Sequence, residues 1–144
     1  MPANLDPIYP KTPVIGWDSV ITAALNAANI AGGVLGTDIA LIFTAGANGA
    51  YVSDIVAKPA PGTNTAATVL RAWLNNGATT GTAANSVLLG ELTIPATTTS
   101  ATLAQPDFVL AIRRAIPATY RIYYSLATDP GATNFAVSCH GADY

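Results

Sequence analysis

The chain has 144 residues, of which 51% are hydrophobic and only 10% are charged, and its formal net charge is −2. This length suits a single domain that buries a core of its own without disulfides or metals. Because binding to nucleic-acid phosphates needs clustered cations, a net negative chain with six Lys and Arg residues argues against nucleic acid as a partner.

Residues 1–16 predict an extended N-terminal arm. Proline removes a backbone donor and favours extended conformations in the residue before it. The four prolines of this segment are Pro2, Pro7, Pro10 and Pro13. Leu5, Ile8 and Tyr9 give the arm apolar anchors. We therefore expect it to pack along its own domain or onto a neighbouring molecule, with a disordered terminus as the alternative.

The mean hydropathy of +0.39 raises the question of a membrane span. The most apolar stretch, residues 20–35, is interrupted by Asn26, Asn29 and two glycines. It is too short and too polar to provide the run of about 20 apolar residues that crosses a bilayer. The sequence predicts no transmembrane segment, and its first residues lack the apolar core of a secretory signal.

Short apolar runs separated by turn residues follow from residue 17 to residue 144, which is typical of one all-β domain. The predicted strands cover residues 17–24, 37–44, 51–58, 65–75, 86–94, 107–116, 120–128 and 134–140. Residues 25–33 (LNAANIAGG) form either a loop or a helix that begins near Asp18 and ends at Gly32.

Turn residues between these runs support the same interpretation. Asn48-Gly49 follows the second run, and Asn-Gly predicts a type I′ hairpin turn that leads into the third. Gly90 lies inside the fifth run and indicates a β-bulge.

The pattern predicts an antiparallel β-sandwich of about eight strands. No amphipathic helix alternates with the strands, which argues against a doubly wound α/β fold. An eight-stranded jelly roll fits the pattern, and an immunoglobulin-like sandwich is the alternative.

Residues with catalytic or metal-binding chemistry are scarce. The one cysteine and the one histidine are neighbours, Cys139 and His140, so a strand would point them to opposite faces. The carboxylates are scattered, and no phosphate-binding loop is present. We therefore expect Cys139 to be a core residue and predict no catalytic residue, no metal, no cofactor and no enzymatic activity.

Aromatic side chains allow two interpretations. Trp73, Tyr51 and Tyr123 would form a sugar-stacking platform if they shared one exposed face. Otherwise Trp17, Trp73 and the tyrosines fill the core or a subunit interface.

Three segments resemble a known group of proteins. They are IALIFTAGANGAYVSDIVAKP, VLRAWLNNG with ELTIPATT after it, and the terminal GADY. Small virion proteins of tailed bacteriophages share an (I/V)FTAGANG hairpin, an R-x-(F/W)-(I/L)-x-(N/D)-G strand and a C-terminal G-(G/A)-D-(Y/F). The chain resembles these proteins over roughly residues 37–144, and the signatures are structural.

This resemblance implies a jelly-roll decoration or cement protein on the outer surface of a capsid. The implied partners are the major capsid protein and copies of the chain itself, and the alternatives are a tail or fibre component and a carbohydrate-binding module. We expect the contacts to involve Leu5, Ile8, Tyr9, Trp17, Trp73 and Arg113.

Overall fold

The structure is a computed structural model that describes residues 9–18, 39–60, 62, 64–79, 84–128 and 135–144. These residues form eight strands in two four-stranded sheets. In chain order the strands are β1 (Thr12–Asp18), β2 (Ala40–Thr44), β3 (Ala50–Pro59), β4 (Thr68–Asn75), β5 (Ser86–Ile94), β6 (Phe108–Ile116), β7 (Arg121–Leu126) and β8 (Phe135–Asp143).

The strand order identifies the sandwich as a jelly roll. One sheet has the order β1-β8-β3-β6, the other has the order β2-β7-β4-β5, and every pairing is antiparallel. Only the connection between β4 and β5 stays within one sheet, while every other connection joins the two sheets. This arrangement is two nested Greek keys, so the predicted jelly roll is confirmed over the immunoglobulin-like alternative.

The core lies between the inner faces of the two sheets and follows from the alternation of each strand. In β8, Phe135, Val137 and Cys139 are fully buried, while the residues between them face outward. Tyr124 of β7 and Ile55 of β3 are equally buried. Because successive side chains of a strand point to opposite faces, this alternation leaves a second set of residues on the outer faces.

The first strand begins earlier than predicted. It starts at Thr12, inside the segment 1–16 that was expected to form an extended arm packed along its own domain or onto a neighbour. Residues 12–18 pair along β8, from Thr12 opposite Asp143 to Asp18 opposite Val137, and residues 19–24 of the strand predicted at 17–24 lie outside the described residues. Pro13 is accepted because β1 is an edge strand, where a missing donor breaks no ladder on the open side.

The AGANG turn also differs from the prediction. The Gly49 N–H donates to the Gly46 carbonyl at 3.1 Å, which closes a turn, and Gly49 has a φ of +87°. Asn48 is not among the residues with positive φ, so the turn is not of type I′. The strands on either side, β2 and β3, belong to different sheets, so the turn carries the chain across the sandwich and makes no hairpin.

Other predictions lie outside the described residues. They include the loop or helix at residues 25–33 and the first half of the arm, residues 1–8. Within the described part of the chain, no helix is long and apolar enough to cross a membrane.

Candidate contact surface

The outer face of the β1-β8-β3-β6 sheet arranges its side chains in rows. In an antiparallel sheet, register partners lie side by side on the same face, so the pairing determines each row. The first row consists of Trp17, Ser138, Val56 and Val109. The second consists of Ile15, His140, Asp54 and Ala111. The third consists of Pro13, Ala142, Tyr51 and Ala115. We call these three rows the outer face.

Large apolar side chains lie at both edges of the outer face. Trp17 is 72% exposed and Ile15 is 59% exposed, both on β1. Val109, on the opposite edge strand β6, is 52% exposed. Such side chains on one flat sheet expose apolar area that a partner would remove from water.

Polar side chains occupy the centre of the same face. His140 of β8 contacts Asp54 of β3, with 2.7 Å between Nδ1 and Oδ1. On its other side, His140 Nε2 lies 3.1 Å from Oγ of Ser138. The side chains of His140 and Asp54 are 38% and 28% exposed, so this hydrogen-bonded group remains open to solvent. The outer face therefore combines apolar edges with a polar centre.

Charged groups border the outer face. The Lys58 ammonium pairs with the Asp107 carboxylate at 2.8 Å, and both side chains are about half exposed. Arg113 lies in β6 where the register with β3 shifts, and its φ of +49° marks a bulge. Surface pairs of this kind contribute little to stability.

The residues predicted to make contacts separate into three groups. Tyr9, Trp17 and Arg113 are exposed, and Trp17 belongs to the outer face. Leu5 and Ile8 lie outside the described residues. The fourth described residue of that prediction, Trp73, is buried in the other sheet.

Trp73 and its neighbours contradict a sugar-stacking platform. Trp73 and Tyr123 are each 5% exposed and cluster with the fully buried Ile39. The Trp73 indole N–H donates to Ser125 Oγ at 3.1 Å, which satisfies its polar end inside the protein. Tyr51 lies on β3 of the opposite sheet, so the three aromatic residues share no face.

Cys139 has the predicted character of a core residue. It is a fully buried free cysteine that faces the sandwich interior, whereas His140 faces outward. Burial, together with the negative charge of Asp54, raises the pKa of the Cys139 thiol to about 12. Because the thiolate is the reactive form, this thiol is a poor nucleophile at neutral pH. Among the residues that the structure describes, no group of three or more His, Cys, Asp or Glu side chains is placed to hold a metal ion.

Two of the segments that carry the sequence resemblance meet in space. The backbone N–H of Gly46, in AGANG, donates to Asp143 Oδ1 of GADY at 2.9 Å. The Tyr144 N–H donates to the Gly49 carbonyl at 3.2 Å. A Cβ on Gly46 would lie 2.7 Å from the Asp143 carboxylate, so a larger residue here would displace this side chain from the contact. These residues hold the end of the chain against the turn, which is a structural role.

Sequence reasoning missed the polar centre of the outer face. The spacing of Ser138 and His140 on one strand predicts that both face the same way. The third member, Asp54, is 86 residues from His140 in sequence and reaches it only through the β3–β8 pairing. No local pattern predicts that register.

Comparisons with known proteins give few relatives. No protein-family model matches the chain, and no curated protein matches it. The capsid asymmetric unit of cyanophage Pam1 is similar to this chain with a TM-score of 0.40 and 12% sequence identity, over 100% of both chains. A likeness at this TM-score carries no argument about function.

Proposed function

We propose that this protein is a structural component of a tailed-bacteriophage virion, a decoration or cement protein on the outer surface of the capsid. Its partners in this proposal are the major capsid protein and neighbouring copies of itself. The role requires binding, and no reaction is part of it.

The observation that carries the proposal is the outer face of the β1-β8-β3-β6 sheet. Trp17, Ile15 and Val109 stay exposed there, although a monomer would gain by burying them. Burying one such side chain against a partner is worth about 1.5–3 kcal/mol. A specific interface needs on the order of 1,000 Å² of buried surface, and the four strands of this sheet present one continuous face toward a partner.

Composition and sequence resemblance support the same role. Charged residues make up only 10% of the chain, and low charge reduces the desolvation cost of extensive burial in an assembly. The AGANG turn and the GADY terminus, which resemble those of tailed-phage virion proteins, pack against each other through Gly46 and Asp143. The resemblance therefore rests on residues that hold the fold together.

Substitution of Trp17 tests the proposal. Trp17→Ala removes the most exposed large apolar side chain of the outer face, and we expect at least about tenfold weaker binding to shells of the parent phage that lack this protein. Leu103→Ala is the matched control, because Leu103 is also 72% exposed but lies in the segment between β5 and β6. Co-sedimentation of each variant with the shells measures the affinity.

The two variants are informative as a pair. Both side chains are exposed, so thermal unfolding of both variants should match that of the unchanged protein. Equal binding by Trp17→Ala and the unchanged protein would contradict the assignment of the outer face. Binding to purified tails, with none to shells, would instead support the alternative role as a tail or fibre component.

A further inference from the structure

The polar centre of the outer face has a geometry that shell binding does not require. Ser138, His140 and Asp54 form a continuous hydrogen-bonded chain across β8 and β3. Ser138 and His140 share a face because they are two residues apart on β8. The pairing of Asp54 with His140 in the β3–β8 register brings the carboxylate beside the ring.

The order of the three hydrogen-bonded side chains determines which atom donates a proton and which accepts one. Asp54 Oδ1 lies 2.7 Å from His140 Nδ1, and an ionised carboxylate only accepts hydrogen bonds. The imidazole proton therefore belongs on Nδ1, which leaves Nε2 as an acceptor 3.1 Å from the Ser138 hydroxyl. Both distances lie in the range over which a base activates a serine and a carboxylate orients that base.

The neighbours of Ser138 in its row provide a place for an apolar group. Trp17 and Val56 are its register partners on the two adjacent strands, and the indole of Trp17 is 72% exposed. An aryl or alkyl group could lie against this ring while a carbonyl approaches Ser138 from solvent. Ser138 lies on an open sheet face, so the site suits activated esters better than amides.

We propose that Ser138 is a nucleophile that hydrolyses activated esters, with His140 as its general base and Asp54 as a positioning residue. Ser138 Oγ bonds to the acyl carbon and its proton passes to His140 Nε2. The bond to the leaving oxygen breaks, and that oxygen takes the proton. Water then cleaves the acyl-serine with the same base, releasing the carboxylic acid and restoring the hydroxyl.

This inference goes beyond the proposed virion role and concerns the unattached protein, because attachment through the outer face would cover Ser138. It also departs from the sequence-based prediction that the protein has no catalytic residue. Loss of an oxyanion donor costs an enzyme about 10²–10³-fold in rate. We assign none to this open face, and the reaction is accordingly expected to be slow and confined to activated substrates.

Covalent labelling tests the nucleophile directly. The full chain is incubated with an alkyl fluorophosphonate, whose fluoride is displaced by an activated serine, and the modified peptide is located by mass spectrometry. We expect labelling at Ser138, its loss in Ser138→Ala, and at least about tenfold slower labelling in His140→Gln. Ser53→Ala is the control, because the Ser53 hydroxyl donates to the His140 carbonyl and not to the ring.

A spectroscopic measurement tests the positioning role of Asp54. The imidazole ¹⁵N chemical shifts of His140 should show the proton on Nδ1 in the unchanged protein. Asp54→Ala removes the acceptor, so the proton should move to Nε2 and labelling at Ser138 should slow. Absence of an adduct at Ser138, equal labelling rates in His140→Gln, or a proton on Nε2 in the unchanged protein would each overturn the proposal.

Discussion

At the scale of single residues, the contact between Gly46 and Asp143 explains why the AGANG turn and the GADY terminus, which are far apart in sequence, pack against each other. The glycine N–H is held by the carboxylate at 2.9 Å, and the missing Cβ leaves room for that carboxylate. Gly141, in the same terminal segment, is also constrained, because a Cβ there would lie 2.7 Å from the Tyr51 carbonyl oxygen. Short signatures of this kind record packing and do not identify a reaction.

A double-mutant cycle measures this contact. Asp143→Ala should lower the free energy of unfolding by about 1.5–3 kcal/mol, because it removes a charge-assisted hydrogen bond. Gly46→Ala should also destabilise the protein, since its Cβ meets the carboxylate. In denaturant unfolding, the double variant should lose at least about 0.5 kcal/mol less stability than the sum of the losses in the two single variants. Asp107→Ala, at an exposed ion pair, is the control and should cost less than about 1 kcal/mol. Full additivity would contradict the contact.

The buried thiol of Cys139 should make the free energy of unfolding decrease at alkaline pH. Its pKa in the folded protein is about 12, above the value of 9.0 for a free thiol. The unfolded chain therefore loses this proton first, so stability present below about pH 9 decreases as the pH rises toward 12. Within that window, each pH unit lowers the thiol's contribution to the free energy of unfolding by about 1.4 kcal/mol.

The Cys139→Ala variant lacks this titration. Between pH 8.5 and 10.5, its free energy of unfolding should decrease by about 1–2 kcal/mol less than that of the unchanged protein. Denaturant unfolding at both pH values measures the difference, and groups common to both proteins cancel. Parallel pH profiles would show that the buried thiol does not contribute.

At the scale of strands, most of the sandwich follows from the sequence. The fifth strand was predicted at residues 86–94, as observed in β5. Cys139, predicted to be a core residue, is fully buried in β8 together with Phe135 and Val137. These predictions succeeded because burial on one face imposes an alternation that is readable in sequence.

The predictions that failed concern edges and connections. The prolines up to Pro13 indicated an extended arm, yet residues 12–18 form the strand β1 at a sheet edge. Asn48-Gly49 indicated a hairpin, although the turn leads from one sheet to the other. The contact of Asp54 with His140 depends on a non-local register. In each case the outcome depends on which strands pair, which local sequence does not specify.

The edge strand β1 also lies close to β2 of the other sheet at Gly16. A Cβ on Gly16 would lie 1.7 Å from the Ile42 carbonyl oxygen of β2, a backbone atom that cannot rotate away. Gly16→Ala should therefore displace β1 from the sandwich and destabilise the protein by about 1–3 kcal/mol or more. Hydrogen exchange of the amides in β1 and β8 should accelerate.

Gly90→Ala is the matched control for that substitution. Its Cβ would meet only a methyl group of Leu110 at 3.3 Å, which a small side-chain movement relieves. We expect a much smaller change in the unfolding free energy. Equal stability of Gly16→Ala and the unchanged protein would contradict the close approach of β1 and β2.

At the scale of the whole molecule, the outer faces of the two sheets differ. One buries Trp73, Tyr123 and Ile39 against the protein itself. The other leaves Trp17 and Ile15 in solvent beside the hydrogen-bonded centre. The difference is one of degree, since Leu41 and Leu88 of the other sheet are also 47% and 39% exposed. Trp17 and Ile15 are the most exposed large apolar side chains of the eight strands, and a low-charge sandwich that carries both on one face suits attachment to a large surface.

The most direct test of this account is cryo-electron microscopy of the purified protein bound to shells of the parent phage that lack it. We predict ordered density at symmetry-related sites on the outer surface, with Trp17, Ile15 and Val109 buried against the shell or a neighbouring copy. Bare shells, or bound protein with that face turned toward solvent, would contradict it.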